Sequence, residues 1–324
     1  MIYKTNISTN VLTAASLLSD NEVVAIPTET VYGLAGNALS ENVVKKIYEI
    51  KQRPFFNPLI VHIHDNDQLQ ELVMEIPDAG KELIRHFWPG PLTLLLEKRN
   101  VIPDIVTAGL KTVAVRMPDH KLTTHLLRSI DFPLAAPSAN LFKQISPTSA
   151  EHVYSQLGGK IPFILDGGKC TKGLESTIVG FEKDALKIYR QGAVTAERIK
   201  ELIPEVEIQL HKTNAQEGIK APGQLIKHYA PQTPLILTTD IQSAIQENIG
   251  LEIGVVCFSS SKKYTGAKIA LALSPQKNLS EAARHLYGAL HTLDNKSLDI
   301  IIAEKFPDEG LGRVINDRLL RASS

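Results

Sequence analysis

Short apolar runs rich in Val, Ile and Leu recur along this chain and alternate with stretches whose apolar residues repeat every three or four positions, the signature of a mixed α/β sheet protein. Strand-like runs fall at Glu22–Ile26, Pro58–Ile63, Pro91–Leu96, Thr112–Val115, Pro133–Ala136, Pro162–Leu165, Ser176–Gly180 and Leu186–Tyr189. Helical periodicity predicts helices over Ser40–Ile50, Ala79–Phe87, Lys121–Ile130, Pro147–Leu157 and Ala196–Ile203. Residues 1–205 therefore read as one sheet-rich α/β domain. Polar residues, Gly218 and the Ala221-Pro222-Gly223 run mark 206–232 as a linker. Beyond it, strands at Leu235–Leu237, Ile253–Phe258 and Leu298–Ile302 alternate with helices at Ile241–Asn248, Ser280–Leu293 and Gly312–Ala322. That pattern predicts a smaller, Rossmann-like three-layer domain over 233–324 with mostly parallel pairing.

Composition narrows the function classes. The 324 residues, enough for about two domains, carry 35 basic and 35 acidic side chains. The balance is local as well: 22 against 23 in residues 1–205, and 13 against 12 in the remainder. Neither part has the cationic excess that nonspecific nucleic-acid binding draws on. The two cysteines, Cys170 and Cys257, form no Cys-x-x-Cys motif. No long apolar segment suggests a membrane anchor, and a cytoplasmic location is expected.

Familiar nucleotide motifs are missing. Gly167-Gly168-Lys169 lacks the rest of a phosphate loop, since Phe163 stands five positions before Gly168 and Cys170 follows Lys169. Instead, polar clusters sit at the ends of apolar runs. Pro27-Thr28-Glu29-Thr30-Val31-Tyr32-Gly33-Leu34 brings hydroxyls, one carboxylate and a glycine to a strand end, where it serves either ligand approach or an ordinary turn. Lys51-Gln52-Arg53-Pro54-Phe55-Phe56-Asn57-Pro58 places two cations after a helix: a phosphate clamp, or cations favouring the helix dipole. His62 and His64 share a strand face but lack a third ligand at a metal spacing. Ala135-Ala136-Pro137-Ser138-Ala139-Asn140 supplies small and neutral polar groups, and Ser146-Pro147 reads as an N-cap and first-turn pair. Arg190 and Gly192 end a further strand, as a phosphate ligand or a surface arginine.

Taken in order, PTETVYGL (27–34), KQRPFFNPL (51–59), TVAVRMPDH (112–120), APSAN (136–140), SPT (146–148), ESTIV (175–179) and YRQGAV (189–194) resemble the YrdC-like threonylcarbamoyl-AMP synthases. APGQLIKHYAP (221–231) and DRLLRAS (317–323) resemble the long form with a linker and C-terminal domain. The resemblance implies a twisted α/β catalytic domain around a central cavity. It implies a nucleotidyltransferase that joins L-threonine, bicarbonate or CO2, and ATP into L-threonylcarbamoyladenylate, releasing diphosphate. The product serves N6-threonylcarbamoyladenosine formation at tRNA position 37, with transfer made by other proteins and tRNA engaged only indirectly.

The same resemblance assigns residues. Lys51 and Arg53 fall at catalytic positions, and with Asn57, Thr112, Ser138, Asn140, Ser146, Arg190 and Tyr229 at ATP positions. Thr30, His62, Arg116, the backbone around Ala136, and Ser176 fall at L-threonine positions. Mg2+ is expected, held mainly through the ATP phosphates. Because Tyr229 belongs to the linker, 206–232 is expected to act as an active-site lid. Two other readings stand beside this one: a double-stranded RNA-binding module, disfavoured by the balanced charge, and a hydrogenase-maturation carbamoyl transferase. The latter would bring zinc-finger and acylphosphatase segments, which the sequence does not display.

Overall fold

The computed structural model describes residues 2–182, 185–211, 219–224, 228–259 and 264–323. Two compact units divide the chain. The first comprises Met1–Phe142, Pro147–Thr171 and Glu175–Gln224, and the second Lys143–Ser146, Lys172–Leu174 and Leu225–Ser324.

An eleven-stranded mixed sheet organises the first unit. Across it run Asn6–Ser8, Phe163–Leu165, Val24–Ile26, Gly33–Asn37, Leu134–Ala135, Ile60–His62, Thr112–Arg116, Leu92–Glu97, Thr177–Glu182, Ala185–Arg190 and Glu207–Leu210. The last strand pairs in parallel with Ala185–Arg190. The first unit therefore continues past residue 205, the boundary expected from sequence, and part of the expected linker is sheet. Residues 212–218, including Gly218, and 225–227 of that segment lie outside the described residues.

Helix boundaries follow local chemistry. Glu41–Lys51 starts at Ser40, whose side chain caps the Val43 amide, and stops at Gln52 in a left-handed conformation with φ 53°. The helix expected from Pro147 begins only at Ala150, because Ser149 is the N-cap and accepts from the His152 amide. Ser146 and Pro147 are thus not its capping pair. The Pro147 carbonyl instead accepts from the Tyr32 amide at 2.9 Å.

Alternation across the central strands separates two environments. The registers Val61↔Val115, Leu94↔Val115 and Leu94↔Val179 place these residues on one face, within the main apolar core. Ile60↔Ala114, His62↔Arg116, Leu95↔Ala114 and Thr93↔Ile178 occupy the opposite face. There Ile60, Leu95, Ala114 and Ile178 bury a small apolar cluster completed by Ala221. The Ala-Pro-Gly segment thus packs back on the first unit's sheet.

The second unit has four strands in the order Leu235–Thr238, Ile300–Glu304, Ile253–Cys257, Ile269–Ala272, all pairs parallel. Helices Ile241–Glu247, Leu279–Asp294 and Gly310–Ala322 accompany them, giving the alternating α/β architecture expected. Among the described residues no helix is long and apolar enough to cross a membrane.

Candidate active site

Five of the expected nucleotide residues meet in the first unit. Lys51 closes its helix with the side chain 1% exposed. Its ammonium donates to the Ser138 carbonyl, to the Asn140 carbonyl at 2.6 Å and to Asn140 Oδ1 at 3.5 Å. These partners are all neutral. Arg53, also buried, donates from Nη2 to Asn57 Oδ1 and the Pro58 carbonyl, both at 2.7 Å, and from Nε to the Asn57 carbonyl at 3.1 Å. Burial, reinforced by Arg53, holds the Lys51 pKa well below the ordinary lysine value. Asn57 is fully buried, and its Nδ2 donor has no hydrogen-bond partner among the described residues. Two neighbouring cations compensated by carbonyl and amide oxygens form a receptive place for an incoming polyanion. Thr112 lies at the start of its strand opposite Glu97, at the far end from Arg116.

The polar part of the sheet face gathers the expected threonine residues. Arg116 donates from Nη1 to Thr30 Oγ1 at 2.9 Å and from Nε to the Gly90 carbonyl at 3.2 Å. Its Nη2 stands 2.6 Å from Glu29 Oε2, an ion pair without hydrogen-bond alignment, with both side chains buried. Thr30 is placed by a turn in which Thr28 Oγ1 accepts from the Thr30 amide at 3.1 Å and donates to the Val31 carbonyl at 2.6 Å. His62 sits beside Arg116 in register, and burial together with that guanidinium pushes its pKa down to about 3. It is neutral at physiological pH. The Ala136 amide is committed to the Ile60 carbonyl at 2.9 Å. Gly33, beside it, leaves only 3.1 Å between a would-be Cβ and Ala136 Cβ.

Ser176, expected at the threonine end, is bonded to Arg190, expected at the nucleotide end. Its hydroxyl lies 2.7 Å from Thr93 Oγ1, while Arg190 Nη2 donates to the same hydroxyl and to the Ser176 carbonyl, both at 3.0 Å. Thr93 and Glu29 carry no role in the sequence reading. The available signals were a lone threonine inside the apolar run Pro91–Leu96 and a lone carboxylate among the hydroxyls of 27–34.

Ser146 and Tyr229 belong to the second unit. There the Tyr229 ring stacks on Tyr287 with centroids 5.9 Å apart, and the Arg318 guanidinium lies 4.8 Å from its centroid. His291 Nε2 is 3.2 Å from the Ser146 carbonyl oxygen. Among the described residues no group of three or more His, Cys, Asp or Glu is placed to hold a metal, and His64 instead faces Asp65 at 3.0 Å.

Sheet, buried cations and P-loop-free polar face define a YrdC-type α/β domain, here followed by a second α/β domain. The family model for the Sua5/YciO/YrdC domain, described as "Telomere recombination", matches residues 16–192, and the model described as "Threonylcarbamoyl-AMP synthase, C-terminal domain" matches 194–324. A threonylcarbamoyl-AMP synthase of Bacillus subtilis is 43% identical over 317 residues, covering 96% of this chain and 92% of the relative. One of Pyrococcus abyssi is 39% identical over 323 residues, covering 96% and 93%. The crystal structure of P. abyssi Sua5 complexed with L-threonine superposes with a TM-score of 0.90 at 39% identity, over 100% of this chain and 98% of that one. The chain belongs to the threonylcarbamoyl-AMP synthase family, in its two-domain form.

Proposed function

We propose that this protein converts L-threonine, bicarbonate or CO2, and ATP into L-threonylcarbamoyladenylate and diphosphate in the cytoplasm. The adenylate then passes to separate machinery that modifies tRNA. The observation that carries this reading is one polar sheet face bearing Arg116, His62 and Ser176, with Arg190 bonded to Ser176, in the same unit as the buried Lys51–Arg53 pair. Relatives that share this architecture along nearly their whole length are named threonylcarbamoyl-AMP synthases, and one is described as binding L-threonine.

Threonine's ammonium first gives up a proton to solvent, the neutral amine captures CO2 with loss of a second proton to give a carbamate, and a carbamate oxygen attacks the α-phosphorus while diphosphate leaves in line. The protein's share is positioning and charge neutralisation rather than covalent catalysis. Lys51, Arg53 and Arg190 meet the phosphates, with Asn57, Thr112, Ser138, Asn140, Ser146 and Tyr229 as further nucleotide contacts. Arg116 takes the threonine carboxylate through its fork, and Thr30, His62, Ser176 and the Ala136 backbone shape the rest of that pocket. The Ser138, Asn140 and Asn57 oxygens already accept from Lys51 and Arg53, so Mg2+ would arrive on the triphosphate and be held through its phosphates. The ion would supply further neutralisation of the phosphate charge.

The deciding experiment incubates the protein with ATP, Mg2+ and bicarbonate, with and without L-threonine, and measures diphosphate. Threonine-dependent release, abolished by EDTA and restored by Mg2+, is expected. Release indifferent to threonine would overturn the assignment.

A further inference from the structure

A free amino acid is a zwitterion, so a buried site that selects one has to satisfy two opposite charges. The residues matched to threonine supply only half of this. Arg116 is cationic, Thr30, Ser176 and the Ala136 backbone are neutral, and burial keeps His62 uncharged. Glu29 is a buried carboxylate that pairs directly with one of the five, Arg116. It is 3% exposed and lies 2.6 Å from Arg116 Nη2, yet neither of its oxygens accepts an aligned hydrogen bond. Oε2 is engaged by the ion pair, and Oε1 has no hydrogen-bond partner among the described residues.

We infer that Glu29 binds the α-ammonium of the amino-acid substrate, so that Arg116 and Glu29 together read the zwitterion. The inference rests on the threonine-site reading above and adds a residue to it. In the ligand-free site the guanidinium and the carboxylate neutralise each other. When the substrate docks, its carboxylate takes the Arg116 fork and its ammonium takes Glu29, exchanging one internal pair for two crossed pairs. Net charge in the buried site is unchanged throughout, which avoids the cost of an uncompensated ion. An Arg116 acting without Glu29 would neutralise the substrate's carboxylate and leave its ammonium unmatched. Thr30 Oγ1, which already accepts from Arg116 Nη1, fixes the guanidinium while Nη2 changes partner.

The test compares L-threonine with 2,3-dihydroxybutanoate, which replaces the amine by a hydroxyl, by calorimetry on the full chain. Wild type is expected to prefer threonine by at least about tenfold, the worth of one charge-assisted hydrogen bond. Glu29→Gln should lose that preference while binding the deaminated ligand at least as tightly as wild type does, since that ligand no longer has to displace a carboxylate from Arg116, and Glu29→Asp should retain it at weaker affinity. Equal weakening of both ligands by Glu29→Gln would show that Glu29 only orients Arg116, and would overturn the inference, as would an intact preference. Should Glu29→Gln fail to fold, the wild-type protein carrying 13C-labelled glutamate carboxyls decides. The Glu29 resonance, assigned through Glu29→Asp, should move with L-threonine and stay with the analogue; the same movement with both ligands refutes the proposal. A wild-type protein that binds neither ligand would defeat the threonine-site reading itself, whereas threonine binding with an unaltered preference in Glu29→Gln defeats only the role of Glu29.

Discussion

Gly192 tests whether the backbone crossing beneath Ser176 is as tight as the site requires. A Cβ added there would stand 2.3 Å from the Glu175 carbonyl oxygen, 2.5 Å from the Ser176 carbonyl carbon and 2.6 Å from the Thr177 nitrogen. All three obstacles are backbone, so no side chain can rotate away, and one of the two segments has to move by about 1 Å to reach ordinary contact. Overpacking of this kind costs about 1–3 kcal/mol. With a urea slope of about 2 kcal/mol/M, Gly192→Ala should lower the unfolding midpoint by about 1 M. The chain's single tryptophan, Trp88, lies in the first unit, buried with Nε1 donating to the Leu92 carbonyl at 2.7 Å, so its fluorescence reports this transition. Since Ser176 is held by Arg190, the displacement should also raise KM for both threonine and ATP. Gly288→Ala, with nothing within 4 Å of its Cβ, provides the control and should leave the Trp88 transition in place. A Gly192→Ala midpoint equal to that of wild type would refute the close-crossing argument.

Three further outcomes are expected. Lys51→Met should reduce threonine-dependent diphosphate release by about 100-fold or more, the usual loss on removing a buried electrostatic stabiliser, and wild-type turnover would remove Lys51 from the phosphate site. His62 has a folded-state pKa below its unfolded value of about 6.5, so its contribution to stability is complete above that pH and is lost as pH falls toward about 3, by up to about 1.4 kcal/mol per pH unit. Urea midpoints at pH 7 and 5 should therefore fall further for wild type than for His62→Gln; equal losses would contradict the buried, neutral assignment. Ala221→Asp would bury a carboxylate against Ile60, Leu95, Ala114 and Ile178, so the 219–224 segment should detach and adenylate synthesis should drop at least about tenfold, while unaltered synthesis would show that the segment's seat on the sheet is dispensable.

Elements with long apolar runs, such as Leu92–Glu97 and Thr112–Arg116, were legible because their side chains alone demand burial. Gly33–Asn37 was not: its sequence, GLAGN, has weak strand preference, and it is extended because Val24–Ile26 and Leu134–Ala135 pair with it on either side. Asn6–Ser8 and Glu207–Leu210 are edge strands with largely exposed side chains, so the alternation that betrays a strand is faint in them. Helix Val11–Ser19, which the periodicity also left unassigned, has apolar and small residues on most of its surface, blurring the contrast between its faces. At the site, motif matching singled out Arg116 and Ser176 but not the groups that hold them. The partners are distant in sequence from their neighbours, Glu29 in the loop between Val24–Ile26 and Gly33–Asn37 and Thr93 within Leu92–Glu97, and only the folded chain brings each to its neighbour.

The balanced composition acquires its meaning from where the cations are. Lys51, Arg53 and Arg116 are at most 7% exposed, so a chain with no net charge nonetheless carries three positive groups in its interior. A charge in that setting acts through a lower effective dielectric than one on the surface and is less screened by salt. Burial also exacts a cost, seen in the depressed Lys51 pKa, which neutral carbonyls offset only in part. An incoming triphosphate relieves that cost while gaining the full local attraction, so the ligand-free strain and the selectivity for a polyanion have one origin. Arg116 is handled differently, because Glu29 compensates it before any substrate arrives. The two ends of the site thus suit their ligands' charges: Lys51 and Arg53 donate to neutral carbonyl and amide oxygens where a multiply charged anion binds, and Arg116 faces a carboxylate where a zwitterion does.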